Sequence, residues 1–280
     1  MSWLVVARKD FEDAVRSRML WVITAVFLIF TAGAVYVRKA VLGGTPGLPD
    51  ATQFLTAPSG LIIPLTALVV AYLAIAGERE SGSIKILLGL PHTRWDVVFG
   101  KLVGRTLVVT AGILVAFAGA ALTLLALFGE LPIVDFLLLT LVTVLFGLTF
   151  VGIAIGASAF TATRSRAMAL AIGAFFLFQV IWDFVPLGVY YLVEGSLPGP
   201  TTAQLPAWYY LVQVLNPKNA YSQGADIVFS GAGPVVPAEM LVGSSVPFYV
   251  QNWFGLVILV VWLVVPVALG YWRFERADIG

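Results

Sequence analysis

Residues 77–105 read GERESGSIKILLGLPHTRWDVVFGKLVGR, from Gly77 to Arg105, between an apolar run that ends at Ala76 and another that begins at Leu107. The stretch is dense in charge and holds the only histidine, His92. Glu78 and Glu80 stand two apart, so on a helix they point to different sides and do not converge as an acid–base pair. Gly82 is a natural helix stop, because glycine takes the left-handed conformation that ends helices at little cost. Ser83 can then cap a short helix, Ser83–Leu90, which Gly89 and Pro91 close. Thr93 opens another helix, with Asp96 three residues on as a capping-box partner, and that helix continues into the next apolar run. The pattern is helix, break, two-turn helix, break, helix. The middle helix puts Ile84, Leu87 and Leu88 on one face, which needs a cover: another protein or the membrane surface. Arg79, Glu80, Lys85, Arg94 and Asp96 would form the polar rim of a protein interface. His92 is a polar residue in the turn that follows.

The rest of the chain sets this interruption in a membrane. Of 280 residues 60% are hydrophobic and 11% charged, against about 25% charged in soluble domains, and the mean hydropathy is +0.98. A net charge of +1 gives no footing for nucleic acid. Without cysteine there is no disulfide framework, thiol nucleophile or thiolate metal site. A bilayer core needs about 20 apolar residues per helix. Six segments meet this: Leu20–Val37, Ala57–Ala76, Leu107–Phe128, Ile133–Phe160, Ala167–Val193 and Trp253–Trp272. The expectation is an all-α membrane protein with six transmembrane helices, with kinks expected at Pro64 and Pro186. Leu205–Leu215 is too short to span and reads as interfacial or re-entrant, with Trp208, Tyr209 and Tyr210 at headgroup depth.

Placing the N-terminus in the cytoplasm leaves only Arg38, Lys39 and Lys218 outside and every other basic residue inside. That bias predicts cytoplasmic N- and C-termini. Residues 1–19 form an amphipathic interface helix, with Leu4, Ala7, Phe11, Val15 and Met19 on the apolar side and Lys9, Asp10, Glu12, Asp13 and Arg16 mostly opposite. Such a helix would lie on the inner leaflet or pack on protein. The three acids and the length before the first span argue against a cleaved leader. Residues 194–252, rich in proline and glycine, read as an extracytoplasmic loop of turns and short pieces, with a short helix after Pro217.

The chain offers little chemistry. The only Gly-Lys pair, Gly100–Lys101, lacks a Walker A context, so no P-loop ATP site is visible. His92 stands alone, which excludes a His-Glu-x-x-His zinc site, and there is no Gly-x-Ser-x-Gly elbow. No enzyme activity and no cofactor are expected in this chain. Asp183 is the one acid well inside an apolar segment, with Gln179 one turn earlier. An acid there is costly and so a candidate for a substrate path, or else it caps backbone freed by Pro186. Small residues at Gly112, Ala116 and Ala120, and at Gly152 and Gly156, suit close helix packing.

The loop resembles the signature of ABC transporter permeases of the type-two, exporter-like family. The matching residues are Glu78, Arg79, Glu80, Gly82, Leu87, Leu88, Pro91, Arg94, Gly100 and Lys101. VVARKDFEDAVRSRMLW resembles the family's interface helix, and LNPKNAY its segment before the last span. Within the family the chain is similar to the permeases of nitrous-oxide-reductase maturation systems. The resemblance implies one permease domain over 1–280, with residues 78–105 as a cytoplasmic coupling loop in the cell membrane. It also implies a dimer of permease protomers and a separate cytoplasmic ATP-binding subunit that holds ATP and Mg. Glu78, Arg79, Glu80, Gly82, Leu87, Leu88, Pro91 and Arg94 would couple that ATPase to the spans. The alternative is a membrane anchor or sensor subunit of an ATPase complex that transports nothing.

Overall fold

A computed structural model describes residues 2–16, 18–40, 48–89, 93–198, 204–231, 233–242 and 245–278. Pro91 and His92 lie outside the described residues. The elements in chain order are α1 (Ser2–Val15), α2 (Arg18–Ala40), α3 (Leu48–Gln53), α4 (Thr56–Ala71), α5 (Ala76–Ser81), α6 (Ser83–Leu88), α7 (Arg94–Phe128), α8 (Ile133–Phe160), α9 (Arg164–Gln179), α10 (Val185–Glu194), α11 (Ala207–Val214), α12 (Pro217–Ser230) and α13 (Asn252–Glu275). Among the described residues the only β pairing is two isolated bridges.

Among the described residues four helical stretches are long and apolar enough to cross a membrane: Thr56–Ser81, α7, α8 and α13. A fifth arises if α9 and the Ile181–Glu194 segment, bent by 43°, count as one broken span. The first expected span, Leu20–Val37, lies within the 23-residue α2, which is not among these.

Local chemistry explains the boundaries. At the start of α7, Thr93 Oγ1 accepts from Asp96 N at 3.1 Å while Asp96 Oδ2 accepts from Thr93 N at 2.9 Å, completing the expected capping box. Asp96 is therefore a helix cap. At 35 residues α7 is about 52 Å long, so its charged first third extends beyond a bilayer core of about 30 Å.

One break falls away from a proline and the other just before one. Helix α4 runs through Pro64 and unwinds only at Tyr72–Ile75. There the buried hydroxyl of Ser158 on α8 accepts from both Ile75 N and Ala76 N at 3.0 Å, and Arg105 donates to Val70 O at 3.0 Å. The bend expected at Pro186 is present, 43° between α9 and the segment that follows, because proline cannot donate to the carbonyl four residues earlier, that of Trp182, and its ring crowds it. Pro186 sits in the first turn of α10, and the break precedes it as a 3-10 turn, Ile181–Phe184. Asn216 Nδ2 satisfies the Phe178 carbonyl beside that break at 2.8 Å.

The 194–252 segment is not only a peripheral loop. Tyr221 on α12 is fully buried, stacked on Phe146 at 4.3 Å and hydrogen bonded to Thr143 at 2.9 Å. Gly255 of α13 packs so tightly on α12 that an added Cβ would stand 2.3 Å from Ala220 O. A proline- and glycine-rich composition concealed this because α12 inserts by small residues, Ala220, Gly224 and Ala225.

Candidate functional site

The GERE run, residues 77–80, lies where the ends of α8 and α9 approach α7, and each charged side chain finds a different helix. Glu78 Oε1 accepts from Lys101 Nζ of α7 at 2.7 Å. Lys101, only 4% exposed, also reaches Asp10 Oδ1 of α1 at 3.4 Å. Arg105, one turn further along α7, meets Asp10 from the other side, with Nη2 to Oδ1 at 2.9 Å and Nε to Oδ2 at 2.8 Å. Arg79 donates to Thr161 O at 2.8 Å, at the C-terminal end of α8. The Glu80 carboxylate accepts from Arg164 N, the first residue of α9. Arg94 donates to Phe274 O, Glu275 O and Ala277 O at 2.6, 2.8 and 2.8 Å, closing the C-terminal end of α13. The buried Phe274 ring lies between the two guanidiniums, 5.6 Å from Arg79 and 5.5 Å from Arg94.

The polarity is consistent throughout. Both arginines sit on carbonyls at helix C-termini, and the glutamate sits on an N–H at a helix N-terminus, the arrangement the helix dipole favours. Each such charge also satisfies backbone groups that have no partner inside their own helix. Arg79, Glu80 and Arg94 are thus not a free rim awaiting a partner protein. They hold the ends of α8, α9 and α13 to the α5–α7 connection.

From this hub α6 projects. Gly82 turns the chain with φ +75°, and six helical residues follow. Ile84 is 1% exposed and joins the core, while Leu87 and Leu88 are half-buried, with Leu88 packed against that core. The face expected to seek a partner is therefore turned mostly into the chain. The outward apolar residue is Ile86, 76% exposed, beside the exposed Lys85.

The interface helix also differs from its expected orientation. Val6, Ala7, Asp10 and Ala14 form its buried face, and Leu4 is exposed. It packs on protein: a Cβ on Gly100 would stand 2.7 Å from Val6 Cβ, and one on Gly104 3.0 Å from Ala7 O. Asp10 belongs to that face because it lies three residues after Ala7 and four before Ala14. The sequence carried this signal in its small residues, whereas a stripe drawn through Leu4 and Phe11 passes it by. Asp10, Arg105 and Ser158 are the members of the site that sequence reasoning did not select.

The two candidate substrate-path residues lie elsewhere. Gln179 Nε2 donates to Gly60 O of α4 at 3.0 Å, at the end of α9. Asp183 is exposed on the 3-10 turn that follows. Among the described residues no group of three or more His, Cys, Asp or Glu side chains could hold a metal ion.

The comparisons with known proteins agree with this layout. Residues 4–279 match the model of the ABC-2 family transporter proteins. The chain belongs to the ABC-2 transporter family. Two curated relatives, each named a probable ABC transporter permease protein NosY, come from Pseudomonas aeruginosa and Stutzerimonas stutzeri. Each is 30% identical over 285 residues, covering 98% and 97% of this chain respectively and the same shares of their own lengths. The chain is thus a multi-pass integral membrane protein of the permease class, a class that is not itself catalytic. Membership implies a membrane setting and an ATP-binding partner subunit.

Proposed function

We propose that this ABC-2 permease moves a substrate across the cell membrane with energy from ATP hydrolysed on a separate cytoplasmic subunit, and that α6 is the element through which the work enters. In this reading α2 supplies a first span and α9 with α10 a broken fifth, making six spans with both termini in the cytoplasm. Two protomers would enclose the path, and ATP and Mg would be held by the partner, not by this chain. Gln179 and Asp183 are the residues proposed to face that path.

The observation that carries the reading is the junction at Gly82. A six-residue helix leaves the bundle on a single left-handed glycine, exposing Ile86 and Lys85, while the residues just before it are bonded to the ends of α8 and α9 and to Lys101 of α7. A push on so short a helix passes into α5 and α7, because it has no independent core in which to be absorbed. Glu78, Arg79, Glu80 and Arg94 then act as positioning residues behind the contact. Leu87 and Leu88 seat the helix, and Pro91 is the remaining expected coupling residue.

The test is Ile86→Asp in the full chain co-expressed with its partner ATPase. The expected result is normal membrane insertion, loss of ATPase co-purification and loss of ATP-driven transport. Retention of the ATPase at wild-type stoichiometry overturns the docking role.

A further inference from the structure

Two cavities of about 460 Å³ each meet along α4. The first is a chamber beside the hub, lined by Asp13, Glu78, Lys101, Arg105 and Arg164, with Val70 and Val108 as apolar wall. The second is an apolar trough between α4 and α9, walled by Leu65, Leu68, Ile172, Phe175 and Phe176. Val69 and Tyr72 line both, so the trough begins where the chamber ends. The two adjoining cavities therefore pass from charged to mainly apolar, which is the profile of an amphiphile.

We propose that chamber and trough together hold one glycerophospholipid with a primary-amine headgroup of the phosphoethanolamine class. The acyl chain would lie in the trough and the headgroup in the chamber. The charges select the headgroup. Asp10, Asp13 and Glu78 balance Lys101, Arg105 and Arg164, so the chamber as a whole favours neither a bare anion nor a bare cation. Asp10, Glu78, Lys101 and Arg105 are already engaged with one another. Among the described residues the side chains of Asp13 and Arg164 make no ion pair or hydrogen bond, leaving one free acid and one free base. Arg164 lies along the chamber beside the hub, its Nε 4.0 Å from where a Cβ on Gly77 would stand. Glu78, which also lines the chamber, has its buried Oε2 without a hydrogen-bond partner.

A guanidinium suits a phosphate, and charge-assisted hydrogen bonds to it are the strong kind. A primary ammonium can donate to Asp13 and Glu78, whereas a quaternary ammonium has no N–H to give. An anionic headgroup without an amine would leave the acids unmatched. The depth also fits: α7 passes from charged to apolar residues between Lys101 and Val108, the level of an inner-leaflet headgroup. That statement of depth rests on the six-span, cytoplasmic-terminus reading proposed above.

The experiment is native mass spectrometry of the full chain with its ATPase partner. It is released from vesicles containing equal parts of phosphatidylethanolamine, phosphatidylglycerol and phosphatidylcholine. Retained phosphatidylethanolamine should exceed each competitor about tenfold, the scale of one charge-assisted hydrogen bond. Arg164→Gln combined with Asp13→Asn should erase the preference but leave total bound lipid. Met168→Trp, which narrows the trough from the half-exposed side of α9, should lower retention of all three lipids alike. Equal retention of the three lipids by the wild-type chain overturns the proposal, and so does a preference unchanged by the double substitution. A cross-link between two Ile172→Cys chains with lipid excluded also overturns it, because a second copy would then fill the trough. Loss of lipid preference with the ATPase still bound defeats the lipid site alone, and loss of the ATPase with the preference intact defeats the coupling reading alone.

Discussion

Two seams of this molecule solve the same problem, holding helices together, by opposite means. Between α8 and α13 the backbones themselves touch. A Cβ on Gly156 would stand 2.3 Å from Pro266 O, one on Gly270 2.4 Å from Gly156 O, and one on Gly152 2.6 Å from Leu263 O. Thr149 Oγ1 adds a hydrogen bond to Leu259 O at 3.0 Å. Among the described residues of the hub, close glycine contact is confined to α1 on Gly100 and Gly104 of α7, and long charged side chains reach from α5 and α7 to the ends of α8, α9 and α13. Within a bilayer small residues permit close approach where no hydrophobic difference drives association, and the resulting fit has one geometry. A junction made by Glu78, Arg79, Glu80 and Arg94 depends on side chains with several rotatable bonds, so it can tilt without losing every partner. The comparison separates a fixed scaffold from a junction able to transmit movement.

The largest effect should come from violating the fixed seam. Gly156→Leu forces side-chain atoms into the α13 backbone and should exceed the usual overpacking cost of about 1–3 kcal/mol. The readout is loss of a monodisperse peak in size-exclusion chromatography of the detergent-solubilised chain. Next, Asp10→Ala leaves Lys101, buried at the hub, with one acid fewer. The expected cost is about 3–5 kcal/mol, the range for breaking a buried pair from one side. A thermal melt should show part of this loss recovered when Arg105→Met is added, since Asp10 is the acid that pairs Arg105 and the double change removes the charge left without it. No recovery would mean that the hub does not act as an ionic unit.

How much of this was legible in the sequence follows from where each signal sits. The capping box at Thr93 and Asp96, the stop at Gly82 and the α8 span are written in neighbouring residues. They came out as expected. The break at Tyr72–Ile75 was not legible, because its freed backbone groups are satisfied from far along the chain, by Ser158. The bend before Pro186 was expected, and only its distant partner Asn216 was not. Arg79, Glu80 and Arg94 of the loop were assigned to an outer rim. Their actual partners are main-chain carbonyls and an N–H at helix ends, groups that carry no sequence signature.

Smaller effects sharpen the picture at the junction. Gly82→Ala meets no neighbouring atom within 4 Å, so its cost is the left-handed φ alone, about 1–2 kcal/mol. A thermal melt checks the stability, and reduced ATP-driven transport at that small cost would mark Gly82 as the pivot. Smallest of all on the fold is Ile86→Asp. At so exposed a position it should alter stability by no more than about 0.5 kcal/mol, although its effect on the partner is expected to be complete.

The central claim is that α6 contacts the ATP-binding subunit. Because the chain has no cysteine, Ile86→Cys creates its only thiol, and a thiol-directed cross-linker can report that position alone. With the partner ATPase present in native membranes, the account predicts one cross-linked species of permease plus ATPase and protection of the thiol from maleimide. Full maleimide labelling with no cross-linked species, in membranes where the ATPase still co-purifies, would contradict it.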